Sequence, residues 1–341
     1  MGGKLVMTSK EIVIRTLNYD QPERIAMNLP SPYLNDFYSY SYNLIGSETS
    51  KWHKIDKNTE ERIDEWGNIW RRLDGRTKGE IHKGILDNLD MIEAIKLPDL
   101  DNYQNYKEAE ENFASNRDKF KIGSLPGFAF NITRKMRKLD QYLVDLLLNK
   151  DEIVILNEKI NTLLEKAIWN YARAGADAIF FYEDWGTQEN LMISPGLWRE
   201  VFKPGFVRLC NTAHENKLKV FMHSCGKMTV IIPDLIECGI DVLQFDQPKV
   251  HGIDKLSEYS GKVTYWCPAD IQSTLQSRDE KVIESDVKEM IEKLGCKGGG
   301  FIAGYYRDNE GIGLDAKWQN IACKAFIKYG QLSTRDIYKE W

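Results

Sequence analysis

The sequence has no apolar run approaching the roughly 20 residues that a membrane helix needs. Its first residues, Met-Gly-Gly-Lys-Leu-Val-Met, turn polar too soon for a secretory signal. Cysteine is sparse, six in 341 residues and irregularly spaced, which excludes a disulfide framework. There is no basic excess either: 46 basic against 51 acidic residues leave a net charge of −5. A nucleic-acid binder needs a positive surface to displace counterions, so that class is excluded. No glycine-rich dinucleotide turn follows a strand-like run; Lys297-Gly298-Gly299-Gly300 precedes one and reads as a tight turn. What remains is ample apolar material, 42% hydrophobic and 11% aromatic, enough for a large core. The expectation is a cytosolic, globular protein with reduced thiols.

The second half of the chain has a rhythm. Apolar residues at helical spacing over 151–176 end at Ala174-Gly175, and the buried run of 177–184 follows. The sentence returns later: "ARAGADAIFF" and "IECGIDVLQF" both read helix, glycine stop, aspartate, strand. The spacing predicts further strands at 219–223, 262–266 and 299–304, and helices at 194–217, 252–260, 279–294 and 316–329. Strands alternating with helices imply a parallel sheet, and strands without polar alternation imply burial on both faces. So many units in half a chain favour a closed (β/α)8 TIM barrel. Residues 1–120 read as an N-terminal elaboration: a helix at 8–17, an irregular aromatic stretch at 33–43, a Trp-rich segment near 65–72, and a first strand near 24–28. Residues 121–341 read as the main barrel, starting from a strand at 121–125, and the whole of 1–341 as one domain.

Reactive groups of such barrels sit at the C-terminal strand ends. Those ends carry Tyr182, Glu183, Asp184 and Trp185; His223 and Cys225; Gln244 and Asp246; Cys267; and Tyr305 and Tyr306. His223 and Cys225 are two apart, so on extended backbone both point to one side. With Cys267 they form a His/Cys/Cys set, three ligands with a fourth position open, as in catalytic zinc sites. Glu183 and Asp184 are adjacent acids that could carry a proton, and only one of two neighbours on a strand can face a pocket. Tyr182, Trp185, Tyr305 and Tyr306 could wall a flat ligand. The other cysteines, Cys210, Cys238, Cys296 and Cys323, read as packing residues. His53, His82, His214 and His251 read as surface or loop residues, and Arg134–Lys138 as a solvated helix face or an acidic partner's docking patch.

Four segments, "MTSKEIVIRTLNYDQPERIAMN", "DEWGNIWRRL", "YEDWGTQENLMISPGLWREVFKP" and "LKVFMHSCGKMTVIIPDLIECGIDVLQFDQ", resemble the uroporphyrinogen decarboxylase superfamily and, more closely, its corrinoid-dependent methyltransferase branch. The resemblance implies a (β/α)8 barrel. The decarboxylase grips a polycarboxylate with arginines in an N-terminal motif, but residues 25–50 contain no Lys or Arg. The methyltransferase branch binds zinc through a His-x-Cys pair, matched by His223 and Cys225, and a later Cys. Here Ala303-Gly304-Tyr305-Tyr306 stands where that Cys would be, and Cys267 is the inferred replacement. Relatives that demethylate methyl ethers use carboxylate and histidine ligands, which makes Glu183, Glu200 and His223 a second set. The resulting expectation is a zinc-dependent methyltransferase moving a methyl group between a small substrate, favoured as a methoxylated aromatic, and the cobalamin-type corrinoid of a separate protein. Methylcobamide:thiol methyl transfer and uroporphyrinogen-type decarboxylation are the alternatives.

Overall fold

The structure is a computed structural model that describes residues 7–41, 51–73, 75 and 77–332. The chain opens with α1 (Ser9–Leu17), whose N-terminus is closed by a reciprocal Thr8–Glu11 capping box. Two parallel strands follow, β1 (Ala26–Met27) and β2 (Phe37–Ser41), with no helix between them. An antiparallel meander comes next: β3 (His53–Lys54), β4 (Thr59–Ile63), β5 (Ile69–Leu73) and β6 (Glu80–Lys83). After α2 (Lys107–Ser115) the chain enters β7 (Phe120–Ser124), followed by α3 (Ala129–Arg137), α4 (Leu139–Leu148) and α5 (Lys150–Arg173). The regular part is β8 (Ala178–Tyr182), α6 (Pro195–Val201), α7 (Lys203–Glu215), β9 (Lys219–His223), α8 (Ile232–Cys238), β10 (Val242–Gln244), α9 (Ile253–Ser257), β11 (Thr264–Cys267), α10 (Glu280–Leu294), β12 (Phe301–Ala303) and α11 (Ala316–Tyr329).

Eight parallel strands pair in the order β1-β12-β11-β10-β9-β8-β7-β2, a (β/α)8 barrel. The seam between β1 and β2 has no ladder. Asp36 bridges it: its N–H donates to Met27 O (2.8 Å) and its carboxylate accepts from Met27 N–H (2.8 Å). Arg24 holds that carboxylate through two contacts of 2.7 Å. Phe37, Phe120, Phe180, Phe221 and Trp266 fill the barrel interior, with Phe37 and Trp266 stacked at 5.8 Å. Ile12, Val13 and Leu17 of α1 join that interior cluster and plug the N-terminal end of the barrel.

The repeated aspartate of the two similar segments has a physical role. Asp177 Oδ2 accepts from Lys121 N–H (3.0 Å), and Asp241 Oδ2 accepts from Val220 N–H (2.8 Å). Each carboxylate thus satisfies a backbone donor at the start of the preceding strand, which would otherwise be left unpaired. Lysines reinforce both, Lys10 at 2.7 Å from Asp177 and Lys219 at 2.8 Å from Asp241. One expectation is corrected: part of the aromatic stretch at 33–43, read as irregular, is a barrel strand, β2. The Trp-rich segment lies in the antiparallel meander, outside the barrel sheet. Among the described residues, no helix is long and apolar enough to cross a membrane.

Candidate metal centre

Side chains on a strand alternate between the barrel interior and the layer beneath the helices. Phe221 packs inside and Met222 outside, so His223 faces in. Tyr182 pairs in register with His223, His223 with Gln244, and Gln244 with Trp266, which makes one inward row across the mouth. Asp184, Cys225 and Asp246 each lie two residues beyond a member of that row and share its facing.

Above the row, Asp184, His223 and Cys225 place one ligand atom each within 4.8 Å of one another. His223 Nε2 is 3.2 Å from Cys225 Sγ and 3.6 Å from Asp184 Oδ1. Cys225 N–H donates to Asp184 Oδ1 (2.9 Å), and the Arg134 guanidinium stands 3.6 Å from Asp184 Oδ2. The loops bearing these residues lie backbone against backbone. A Cβ on Gly186 would come 2.3 Å from Lys227 N, and one on Gly226 would come 2.2 Å from Gly186 O. Gly226 also has φ +73°, so glycine is required there on both counts.

The tautomer of His223 follows from its neighbours. Gln244 Nε2 donates to Asp246 Oδ1 (2.9 Å), and a carboxylate can only accept, so the Gln244 oxygen faces the histidine. His223 Nδ1–H therefore donates to Gln244 Oε1, and the Nε2 lone pair points at Cys225 and Asp184. That is the outer-shell arrangement which orients metal-bound histidines. Cys225 opens to the mouth, yet burial of its sulfur, followed by the Asp184 and Asp246 charges, pushes the thiol up to about 12. A divalent cation would reverse that and stabilise the thiolate. One imidazole nitrogen, one sulfur and one carboxylate are a donor set that zinc accepts.

Cys267 is not brought to this centre. Tyr265 packs outward and Trp266 inward, so Cys267 faces outward, fully buried in the layer between sheet and helices. Glu183 also faces outward. It is fully buried, and its Oε2 accepts from Asn131 N–H (2.8 Å) in the first turn of α3. Burial pushes its carboxyl up to about 8, against the pull of Arg134 and of that N–H. Glu200 is exposed on α6 and pairs with Lys150, so the second ligand set does not assemble. Trp185 is fully buried, stacked beside Phe130 with ring centroids 4.1 Å apart.

Of the other wall residues, Tyr182 lies at the mouth, its ring 5.0 Å from that of His223. Tyr305 lines a neighbouring cavity of about 490 Å³ with Asn28, Tyr33 and Arg307. Burial, followed by the Asp246 and Asp308 charges, pushes the Tyr306 hydroxyl above its ordinary range. His251, expected near the surface, is buried; Thr229 Oγ1 lies 2.9 Å from its Nδ1, and burial holds it down at about 4. Sequence reading missed the tether role of Gln244 and the reach of Arg134, both set by register and helix packing. The period-2 signal for Asp184 was present: it stands two after Tyr182, as Cys225 stands two after His223.

No curated protein sequence matches the chain. Among solved structures, a methyltransferase from Methanosarcina mazei superposes with a TM-score of 0.58 at 13% identity, covering 94% of this chain and 85% of its own. A D-psicose 3-epimerase solved with D-fructose gives a TM-score of 0.44 at 8% identity, covering 72% of this chain and 88% of its own. The family profile described as uroporphyrinogen decarboxylase (URO-D) matches residues 77–307. That match spans about two thirds of the sequence and takes in the strand ends that carry Asp184, His223 and Cys225, and the chain belongs to the uroporphyrinogen decarboxylase family.

Proposed function

We propose that the protein is a zinc-dependent methyltransferase that moves a methyl group from a small methyl ether, such as a methoxylated aromatic, to the corrinoid of a separate protein. The observation that carries this reading is the convergence of Asp184, His223 and Cys225 within 4.8 Å at the barrel mouth. The methyltransferase likeness of the barrel supports it at the level of fold. Asp184 replaces Cys267 as the third ligand in this reading. Zinc held there would supply a Lewis acid to the ether oxygen while the reduced corrinoid takes the methyl group.

The chain's own residues prepare that chemistry. Gln244 fixes the His223 ring so that Nε2 faces the centre. Asp184 is fixed in turn by the Cys225 N–H and by Arg134. Tyr182 is the hydroxyl-bearing side chain beside His223 that can donate to a departing oxygen. The aromatic floor, Trp266 stacked on Phe37, closes the mouth from below and excludes water on that side.

The test is zinc content of protein purified without chelator, for the wild type and for Asp184→Ala, His223→Ala, Cys225→Ala and Cys267→Ala. About one zinc per chain, lost in the first three variants and kept in the last, is expected. Methylation of a reduced corrinoid protein by methoxylated aromatics is then read from the cobalt spectrum. A wild type that takes up no zinc on titration sinks the proposal and returns the question to a metal-free decarboxylase.

A further inference from the structure

The basic run Arg134–Lys138 is not a solvated helix face. It forms one wall of a cavity of about 560 Å³ between α3, the start of α4 and the meander. Trp70, Ile81 and Leu139 supply apolar walls; Arg134, Lys135 and Lys138 supply positive charge. The acids at this cavity, Glu80 and Asp140, are both exposed. Among the described residues, neither the Lys135 nor the Lys138 ammonium forms an ion pair or a hydrogen bond; that of Lys135 lies 5.9 Å from the Trp70 ring and feels the Glu183, Asp64 and Glu65 carboxylates only from beyond contact. Burial and the neighbouring Arg134 lower the pKa of Lys135, a strain that an anion would relieve.

Lys138 adds a second, independent observation. It joins α3 to α4 at φ +65° and ψ 141°, a conformation in which a side chain is strained and glycine is not. A lysine held there aims its stem into the cavity at an energetic disadvantage. Arg134 connects the cavity to the metal centre, because its guanidinium lies 3.6 Å from Asp184 Oδ2.

We propose that this cavity binds an organic carboxylate whose flat apolar body lies against Trp70 while its charge is met by Lys135, Lys138 and Arg134. The volume is in the range of small-molecule sites, and paired lysines beside an indole suit an aromatic acid better than a bare inorganic anion. That the carboxylate is the tail of the methyl-transfer substrate rests on the function proposed above; that the cavity binds it does not.

The test is titration calorimetry of the full chain with benzoate, benzyl alcohol and inorganic phosphate. Benzoate is expected to bind, with benzyl alcohol about tenfold or more weaker for want of the charge-assisted contacts. The Lys135→Met/Lys138→Gln variant should lose benzoate by about tenfold or more while taking up zinc as before. Lys138→Gly provides an opposed pair of readouts: its melting midpoint rises as the backbone strain is relieved, while benzoate binding weakens. Benzoate binding that is absent in the wild type, unchanged in the lysine variants, or matched by phosphate overturns the proposal. Zinc uptake failing while benzoate still binds would overturn the metal centre and leave the cavity standing.

Discussion

Cys225 and Cys267 both leave a barrel strand at its C-terminal end, and the structure gives them opposite surroundings. Cys225 opens to the mouth beside His223 and Asp184; Cys267 lies fully buried against the helix layer. Glu183 and Asp184 repeat the contrast one residue apart, one under α3 and one at the centre. Position at a strand end is therefore not enough to make a ligand. Parity along the strand decides it, because a step of one residue moves a side chain from the mouth to the packing layer.

Removing an inward residue should cost binding, and removing an outward one should cost stability. The largest separation is expected for Cys225→Ala. Loss of one of three protein ligands should weaken zinc by on the order of a thousandfold. The melting midpoint of the metal-free protein should move little, because the side chain opens to solvent. Competition with a chelator of known affinity measures the first quantity and thermal unfolding the second. A variant that binds zinc like the wild type would break the comparison.

Glu183→Gln examines the outward side through pH. The folded pKa, about 8, lies above the ordinary carboxyl value of 4.5. The folded state therefore holds the proton more tightly, and this contribution is fully present below pH 4.5 and lost as pH rises through 8. Glutamine keeps an acceptor for Asn131 N–H and carries no titrating proton. As pH rises from 4.5 to 8, the stability of the variant relative to wild type should increase by on the order of 4 kcal/mol, measured by denaturant unfolding of metal-free protein. Parallel stability curves across that window would show that Glu183 is not buried as described.

Gln244→Leu sits between the two cases, since Gln244 faces inward without being a ligand. Leucine leaves His223 Nδ1 without its acceptor and Asp246 without its donor. Outer-shell losses of this kind weaken metal binding by about 10–100-fold, so the effect should fall below that of Cys225→Ala. Equal losses in the two variants would mean that the ring of His223 is held by something other than this amide.

The barrel was legible because β8 to β12 announce themselves as short apolar runs between helices, with β8 and β10 following glycine-stopped ones, each needing a crossover. β2 was hidden because no helix separates it from β1; the alternation that identifies a parallel unit is missing there. The His223–Cys225 pair could be read because spacing of two fixes facing within one strand. The third ligand could not be read in the same way, since its facing depends on where each strand's register begins. For β11 that register is set by Trp266 turning inward onto Phe37, a contact between residues far apart in sequence.

Cys267→Ala is the smallest expected change and closes the comparison from the other side. The sulfur sits in an apolar layer, where burial pushes the thiol well above its ordinary range, so it behaves as a small hydrophobic group. Truncation removes one heavy atom and leaves a small void between β11 and its helices. That should cost about 1 kcal/mol in unfolding free energy, at the low end of large-to-small core changes. Zinc stoichiometry and affinity should stay at wild-type values. A drop in zinc affinity without the stability loss would mean that β11 turns Cys267 toward the mouth, and the parity argument would then fail at the residue from which it was drawn.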